Sequence, residues 1–592
     1  MVLKIIGSIL AAIGVLVAAF VALIYFGIGP NPFIGLFLDP PEHSARYYPR
    51  DTISYAWLTL YPEDGQFGQM IDLFERFNEL PQMEERLEDL QDDVEDESGF
   101  KFEEELESWL GAEVSVGLLE ERNRPIIVMT VSVRDFENAQ IFMEEWTEHL
   151  EDEEGYDFDL EENNGIGIRT DEEEGLGFAL TKEVLLIVLA DDPDDTLEDM
   201  LDLITGNSER SLAEAEKFQS ARGQYSDRRF ASVFLDVEEL LDLLEDSDLI
   251  SDEVYDFDAI SDSADLPSWV AVTVQWIDRG IVVEALVPYA ANIAADLPNL
   301  ENPAELVPAE TIGFLATSFD PNLDNWRQQL EEYDSDDSSY LIYDVYEGLY
   351  GEVERQSNDP PRRKNNPDMA DVLDLFLELV EAYTDVDLEK DIIEYLEGKL
   401  VLAVEEFDAG RIEEAPMEET VNVVAMLSYR PEAESKLEDG LEEFSDFLEE
   451  EMPLDIDSED VGADKDAEIF KPDFFGIQTH YTPGYVLHDG YLIVGTTEEA
   501  LQNVVAAQIG EAEDLGSQVE FRRVMEALPN EYQFLFWLDL QNIVAELEPE
   551  DLDMTEEDFE ALEAVLGSVA IVSDADEELI RTNIAITLFS DQ

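Results

Sequence analysis

Cysteine is absent from this chain of 592 residues. Without a thiol the protein cannot form a disulfide, bind zinc through thiolates, use a cysteine nucleophile or carry a lipid on an N-terminal cysteine. The absence favours neither an oxidising nor a reducing compartment.

Basic side chains are scarce, since 32 Lys and Arg stand against 145 Asp and Glu, for a formal net charge of −113. The acids are spread over nearly the whole chain and are not collected in a tail. No basic stripe is available to contact phosphates, so we expect no nucleic acid among the partners. The excess of acids makes the folded chain repel itself electrostatically. Molar salt shortens the screening length to about 3 Å and weakens this repulsion between the acidic side chains. The composition therefore predicts a halophilic protein with an acidic surface adapted to high salt.

Common catalytic signatures are missing as well. The chain contains no GxSxG, GxxxxGK[ST] or GxGxxG motif, which argues against the common serine hydrolases, P-loop proteins and dinucleotide-binding proteins. Acids are so abundant that a catalytic carboxylate pair cannot be recognised from the sequence. We therefore assign no catalytic and no cofactor-binding residue.

A long apolar run stands near the amino terminus. From Ile5 to Gly29 the only clearly polar residue is Ser8, and as a helix rising about 1.5 Å per residue the run spans a hydrocarbon core of about 30 Å. It ends in bulky residues before Pro30, which favours an uncleaved signal anchor over a cleaved signal peptide. We expect a single-pass protein of the cell membrane, with the bulk of the chain extracytoplasmic, on the periplasmic or outer face.

One strand pattern occurs twice. The stretches from Pro49 to Pro62 and from Pro308 to Pro321 share an opening Pro, an acid-Thr-Ile sequence, an apolar run and a closing Pro. Similar strands and helices follow both stretches in the same order, and the period is far too long for a solenoid. The sequence therefore predicts an internal duplication.

The predicted fold class is α+β, with an N-terminal transmembrane helix followed by two similar domains. Short turns between strands with one polar face favour, in each domain, a largely antiparallel sheet with helices. The predicted organisation is a transmembrane signal anchor at 1–30, a tether at 31–48, a first α+β repeat domain at 49–290, a linker at 291–307, and a second α+β repeat domain at 308–592 with an insertion near 334–366.

Two acidic clusters are weak candidates for a metal site, with Ca²⁺ as a possible ligand. Their spacing resembles that of the oxygen ligands in a calcium loop. The clusters consist of Asp191, Asp192 and Asp194, and of Asp455, Asp457 and Asp460. Neither has the Gly and distal Glu of an EF-hand in register, so random clustering is the simpler explanation. Asp236 and Asp539 end equivalent strands of the two copies, where we expect each to cap the following helix.

Several motifs resemble an uncharacterised bacterial, mainly cyanobacterial, membrane-anchored family, domain of unknown function 3352. They are the N-terminal anchor, the Pro-x-acid-Thr strand that opens each copy, Trp-Leu-Gly at 109–111 before a strand, and Val-Arg-Asp at 133–135 between a strand and a helix. The resemblance covers most of the chain. It implies a membrane-anchored protein without an assigned activity, so no functional residue can be carried over.

We expect a non-catalytic protein that binds an unknown protein or small-molecule partner, in a cleft between the halves or between sheet and helices. One alternative is a cation-dependent hydrolase that uses acidic residues, which a pocket with three or more buried acids of raised pKa would favour. The other alternative is a passive structural protein of the cell envelope, with neither pocket nor ligand.

Overall fold

The fold is that of a computed structural model. The structure describes residues 42–60, 108–206, 210–246, 266–288, 297–323, 387–407, 421–451, 454–474, 482–545 and 554–588, apart from one or two residues within some of these ranges, and a few isolated positions between them. The predicted anchor from Ile5 to Gly29 and the predicted insertion near 334–366 lie outside the described residues. None of the helices in the described ranges is long and apolar enough to cross a membrane.

The first sequence copy contributes ten strands and four α-helices to the described residues. The strands are β1 (Ser54–Thr59), β2 (Leu110–Glu121), β3 (Arg124–Val133), β4 (Asp159–Asn163), β5 (Ile166–Asp171), β6 (Leu176–Leu180), β7 (Val184–Leu189), β8 (Ala231–Asp236), β9 (Trp269–Ile277) and β10 (Gly280–Pro288). The helices are α1 (Phe136–His149), α2 (Pro193–Thr205), α3 (Glu216–Arg222) and α4 (Val237–Asp246), with short helical turns at Ser44–Tyr47, Leu150–Glu154 and Leu212–Glu214.

The second sequence copy contributes eleven strands and six α-helices to the described residues. The strands are β11 (Gly313–Ser318), β12 (Leu396–Phe407), β13 (Val421–Tyr429), β14 (Leu454–Gly462), β15 (Lys465–Phe474), β16 (Ile477–Gln478), β17 (Gly484–His488), β18 (Tyr491–Gly495), β19 (Phe534–Asp539), β20 (Leu566–Ala575) and β21 (Leu579–Leu588). The helices are α5 (Leu388–Asp391), α6 (Glu434–Glu451), α7 (Glu498–Gln508), α8 (Val519–Met525), α9 (Leu540–Ala545) and α10 (Glu556–Val565), with short helical turns at Pro303–Leu306, Ile393–Tyr395, Pro431–Ala433 and Leu515–Ser517.

The predicted fold class is wrong. The strands of both copies belong to one antiparallel sheet of 21 strands, whereas the prediction gave each copy a sheet of its own. The transmembrane helix of that prediction is not found among the helices of the described residues. A periodic pattern identifies a strand and its buried face, but it does not say which strands pair at its two edges. The last strand of the chain illustrates this ambiguity.

The chain forms two compact units. Unit 1 consists of Met1–Ala295 and Ala575–Asp591, and unit 2 of Asp296–Asp574 with Gln592. Strand β21, which the prediction assigned to the second domain, therefore belongs to unit 1. It pairs antiparallel with β10 over the whole length of β10, from Gly280 to Pro288.

Unit 1 arranges its strands around β1. The order is β4-β5-β6-β7-β3-β2-β1-β8-β9-β10-β21, and each neighbouring pair is antiparallel. In the middle of β1, Tyr55 lies opposite Gly117 of β2 and Phe234 of β8. The strand that opens the repeated pattern is thus an interior strand with a partner on both edges.

Unit 2 has the order β14-β15-β17-β18-β13-β12-β11-β19-β20, again with antiparallel neighbours. The short strand β16 pairs with the end of β15. This order corresponds strand by strand to the order from β4 to β9 in unit 1. Positions of the two units can therefore be compared directly.

The core of unit 1 forms where helices cover one face of its sheet. Met200 and Leu201 of α2 follow Leu197 by three and four residues and share one buried helix face with it. The ring of Phe218 in α3 packs edge-on against the rings of Tyr55 and Phe234, with centroids 5.6 and 5.3 Å apart. The Phe218 contacts hold α3 over β1 and β8, whereas α2 packs against β5, β6 and β7.

Candidate functional site

A cleft of about 820 Å³ lies in unit 1 beside the segment that leads into β1. Its lining comes from residues 49–52, from α2, from the segment that leads into α3, and from the junction between β8 and α4. We call this space the unit 1 cleft.

The inner surface of the unit 1 cleft is apolar. Leu119 of β2 and Ile126 of β3 lie opposite each other across the two strands, and Met200 and Leu203 lie three residues apart on α2. We call the buried apolar side chains that line the cleft its apolar floor: Leu119, Ile126, Met200, Leu203, Leu212, Ala215 and Phe234.

Lys217 holds two carboxylates at one side of the cleft. Its Nζ lies 2.7 Å from Oδ1 of Asp236 and 2.9 Å from Oε2 of Glu238. Partial burial opposes protonation of Lys217, but the hydrogen bonds to both carboxylates outweigh it and raise the lysine pKa. The same contact lowers the pKa of Glu238. Burial, followed by the nearby charge of Asp236, raises the pKa of Glu239, which also lines the cleft.

Two arginines stand together at the edge of the cleft. The backbone N–H of Arg50 donates to the carbonyl oxygen of Arg210 at 2.8 Å, and the adjacent residues Pro49 and Ser211 form a β-bridge. Both side chains are exposed. In the part of the chain that the structure describes, neither guanidinium lies within 4.0 Å of a carboxylate.

Unit 2 has the same backbone hydrogen bond and bridge at the equivalent place, but without the positively charged side chains. The N–H of Ala309 donates to the carbonyl oxygen of Glu513 at 2.9 Å, and Pro308 and Asp514 form the equivalent bridge. The positions equivalent to Arg50, Arg210 and Lys217 are occupied by Ala309, Glu513 and Glu520. The fold of a unit therefore does not require the three cations of the unit 1 cleft.

The predicted helix caps are confirmed in both units. Oδ1 of Asp236 accepts the N–H of Glu239 at 3.4 Å, in the first turn of α4. Oδ1 of Asp539 accepts the N–H of Asn542 at 3.0 Å, and its Oδ2 accepts Nδ2 of Asn542 at 2.8 Å. Burial raises the pKa of Asp539, and the neighbouring charge of Glu520 raises it further.

Unit 2 contains a cleft of about 750 Å³ at a different place, beside Pro321 and α5. Its buried apolar lining consists of Leu323 and Leu396. Lys399 and Arg430 line it together with acidic residues. Because its buried apolar surface is smaller than that of the unit 1 cleft, it offers less to an apolar ligand.

A second polar cluster, outside the cleft, was not predicted. The carboxylate of Glu42 is completely buried, and its Oε2 lies 3.0 Å from Nη2 of Arg229 and 3.4 Å from Nε of Arg222. Burial raises the pKa of Glu42 in spite of both arginines. The buried Glu113 accepts the backbone N–H groups of residues 43 and 44. Residues 42–48, which the sequence analysis assigned to the tether, are thus packed into unit 1.

The first predicted metal cluster lies around the start of α2 and contacts other side chains. Asp191 forms an ion pair with Arg124, and Oδ2 of Asp192 lies 3.7 Å from Nη1 of Arg122. Oδ1 of Asp194 accepts the hydroxyl of Thr170 at 3.0 Å. The structure does not bring the three carboxylates together around a common point.

The second predicted cluster lies on β14, not in a loop. An extended strand distributes Asp455, Asp457 and Asp460 along its length. Oδ2 of Asp457 lies 2.8 Å from Nζ of Lys471, and Oδ1 of Asp460 accepts the N–H of Gly462 at 2.9 Å. Within the described residues, no group of three or more Asp, Glu or His could hold a metal ion.

A family model described as a protein of unknown function, DUF3352, matches residues 9–577. The chain belongs to the DUF3352 family. The predicted resemblance is confirmed on this point. No curated protein matches the chain.

Solved structures show limited similarity. Crystal forms IV and III of TP0453 share 9% identity with this chain at a TM-score of 0.22, each over 43% of this chain, and cover 81% and 80% of their own chains. Crystal form I shares 8% identity at a TM-score of 0.23 and covers 43% of this chain and 81% of its own.

Proposed function

We propose that this protein is a non-catalytic binding protein and that the unit 1 cleft is its binding site. The observation that carries the proposal is the apolar floor, around which the cleft also has nine charged residues. In ligand sites of proteins the apolar surface supplies affinity and the polar groups supply orientation.

The size of the cleft also supports a small-molecule ligand. Its volume of about 820 Å³ falls within the range of about 300–1,000 Å³ that small-molecule sites occupy. The membrane location with an extracytoplasmic body stays a prediction from the apolar run at Ile5 to Gly29.

Native mass spectrometry of the purified protein and of two tryptophan variants tests this proposal. Asp199 and Glu198 are adjacent exposed residues of α2, but only Asp199 lines the cleft. Asp199→Trp places an indole at the cleft, while Glu198→Trp makes the same change of size and charge outside it. We expect a copurifying small molecule on the wild type and on Glu198→Trp, with lower occupancy on Asp199→Trp.

The recovered molecule should be chemically unchanged after incubation with the protein, since the proposal is one of binding and not of catalysis. Equal occupancy in all three proteins, or no bound small molecule in any of them, contradicts the proposal. Conversion of the recovered molecule would favour the hydrolase alternative.

A further inference from the structure

We infer that the ligand of the unit 1 cleft is an amphiphilic anion, in which one anionic group binds Arg50 and Arg210 and an apolar body lies on the apolar floor. The inference rests on the proposed function and adds the chemical class of the ligand. Its first support is that neither arginine has a carboxylate partner among the residues that the structure describes.

In a chain with 145 acids and 32 bases, an arginine has many potential carboxylate partners. Other arginines of unit 1 pair with a carboxylate. Nη2 of Arg46 lies 2.8 Å from Oε2 of Glu183, and Nη2 of Arg122 lies 3.3 Å from Oδ2 of Asp195. Arg50 and Arg210 line one cleft, are joined through their backbones, and pair with no carboxylate among the described residues. Their donors are therefore available to a ligand.

The comparison between the units gives the second, independent support. Both units form the same backbone hydrogen bond at this place, yet unit 2 has Ala309 and Glu513 where unit 1 has the two arginines. A purely structural role would apply to both units. The arginines instead accompany the cleft with the larger buried apolar surface, which occurs in unit 1.

The chemistry of arginine selects the anionic group. A guanidinium presents several N–H donors in a planar fork that matches a carboxylate or a phosphate, and it stays charged at all ordinary pH values. Lys217 does not compete for the ligand, because it already holds Asp236 and Glu238. The anionic group therefore binds at the edge, where the arginines are, and the apolar body extends over the floor.

Carboxylates also line the cleft and act on the charge of a ligand. Besides Asp236 they are Asp51, Glu120, Asp199, Glu216 and Glu239. In the molar salt that the composition predicts, screening over about 3 Å removes most of their repulsion at longer range. Direct contacts with the arginines then decide the sign of the ligand charge.

Isothermal titration calorimetry of the whole protein in molar sodium chloride tests the inference. The probes are decanoate, decyl phosphate and decyltrimethylammonium, which share one chain length and are used as monomers. The cleft variant combines Arg50→Ala with Arg210→Ala. Its control combines Lys182→Ala with Arg522→Ala, which removes two exposed cations that do not line the cleft.

We expect an anionic probe to bind more tightly than decyltrimethylammonium. Its affinity should fall about tenfold or more in the cleft variant, because charged hydrogen bonds are lost, and should be unchanged in the control. Unfolding midpoints of the two double variants check that both remain folded.

Two results would overturn the inference while leaving the binding proposal intact. One is tighter binding of decyltrimethylammonium that Asp199→Trp abolishes. The other is binding of the anionic probes that Asp199→Trp weakens but the cleft variant does not. If Asp199→Trp weakens binding of none of the probes, both the inference and the proposed function are wrong.

Discussion

Arg581 and Glu284 join the last strand of the chain to the first sequence copy. Nε of Arg581 lies 3.0 Å from Oε1 of Glu284, and β21 pairs with β10 around them. Leu579 and Ala585 of β21 are buried, so the strand adds apolar contacts as well as backbone hydrogen bonds. Unit 1 therefore depends on residues from the carboxyl end of the chain.

A chain that ends at Ala575 should lose stability in unit 1. Removal of β21 exposes one edge of β10 and leaves the N–H groups on that edge without their partners, while the pairing with β9 remains. We expect protection of the β10 amides from hydrogen exchange to fall at least about tenfold, with little change in β11 and β12. Exchange measured by mass spectrometry checks this. A chain shortened only by residues 589–592 is the control, and unchanged protection of β10 would show that β21 is dispensable.

Local features of the fold could be predicted from the sequence. Antiparallel strands joined by short turns were expected, and β2 and β3 do pair in this way, with Leu119 opposite Ile126. The helix caps Asp236 and Asp539 were also expected. In each case the interacting groups are close in sequence, so residue pattern and turn chemistry determine the contact.

Contacts between distant parts of the chain could not be predicted. The alternating pattern of β21 fits an interior strand but does not name β10 as its partner. Arg50 and Arg210 meet only because Pro49 and Ser211 form a bridge. The spacing of acidic residues was equally insufficient to identify a metal site, since Asp455 and Asp457 lie on a strand and not in a calcium loop.

Gly117 should not tolerate a side chain. A Cβ atom there would lie 2.5 Å from two atoms of the Tyr48 ring. This ring is fully buried, and the Tyr48 hydroxyl forms a hydrogen bond of 3.0 Å with Oγ of Ser115. We expect Gly117→Ala to lower the free energy of unfolding by about 1–3 kcal/mol, because the ring must move within a packed core. Urea denaturation measures this.

Gly167 of β5 provides the matched control for that substitution. A Cβ atom there meets only Leu160, at 3.9 Å, so Gly167→Ala should change stability much less. Equal losses of stability in the two variants would show that the Tyr48 contact is not the cause.

Glu42 should make the stability of unit 1 depend on pH. Burial raises its folded pKa above the ordinary value of 4.5, so the folded state binds the proton more tightly than the unfolded state. The resulting stabilisation is fully present below the unfolded pKa and is lost as pH rises through the folded pKa. Glu42→Gln removes this titration. We expect the free energy of unfolding of the wild type to fall more steeply above pH 4.5 than that of the variant.

Denaturation at a series of pH values measures the difference between the two curves. Acids that do not interact with Glu42 titrate in the same way in both proteins and cancel in the comparison, whereas the charge of Glu113 contributes to the effect because it raises the pKa of Glu42. Glu183→Gln is the control, because Glu183 is exposed and paired with Arg46. Parallel curves for the wild type and Glu42→Gln would contradict the effect of burial on Glu42.

Salt and calcium should affect stability differently. Sodium chloride from low to molar concentration should raise the unfolding midpoint smoothly, because it screens a net charge of −113.

Micromolar calcium should not raise the unfolding midpoint further in molar salt. Asp191 and Asp457 already contact Arg124 and Lys471, and a calcium ion would have to displace these cations and draw dispersed carboxylates together. Thermal unfolding with added calcium, compared with a chelator control, measures the effect. A rise of several degrees in micromolar calcium would instead demonstrate specific cation sites, since only a ligand bound to the folded state stabilises it at such concentrations.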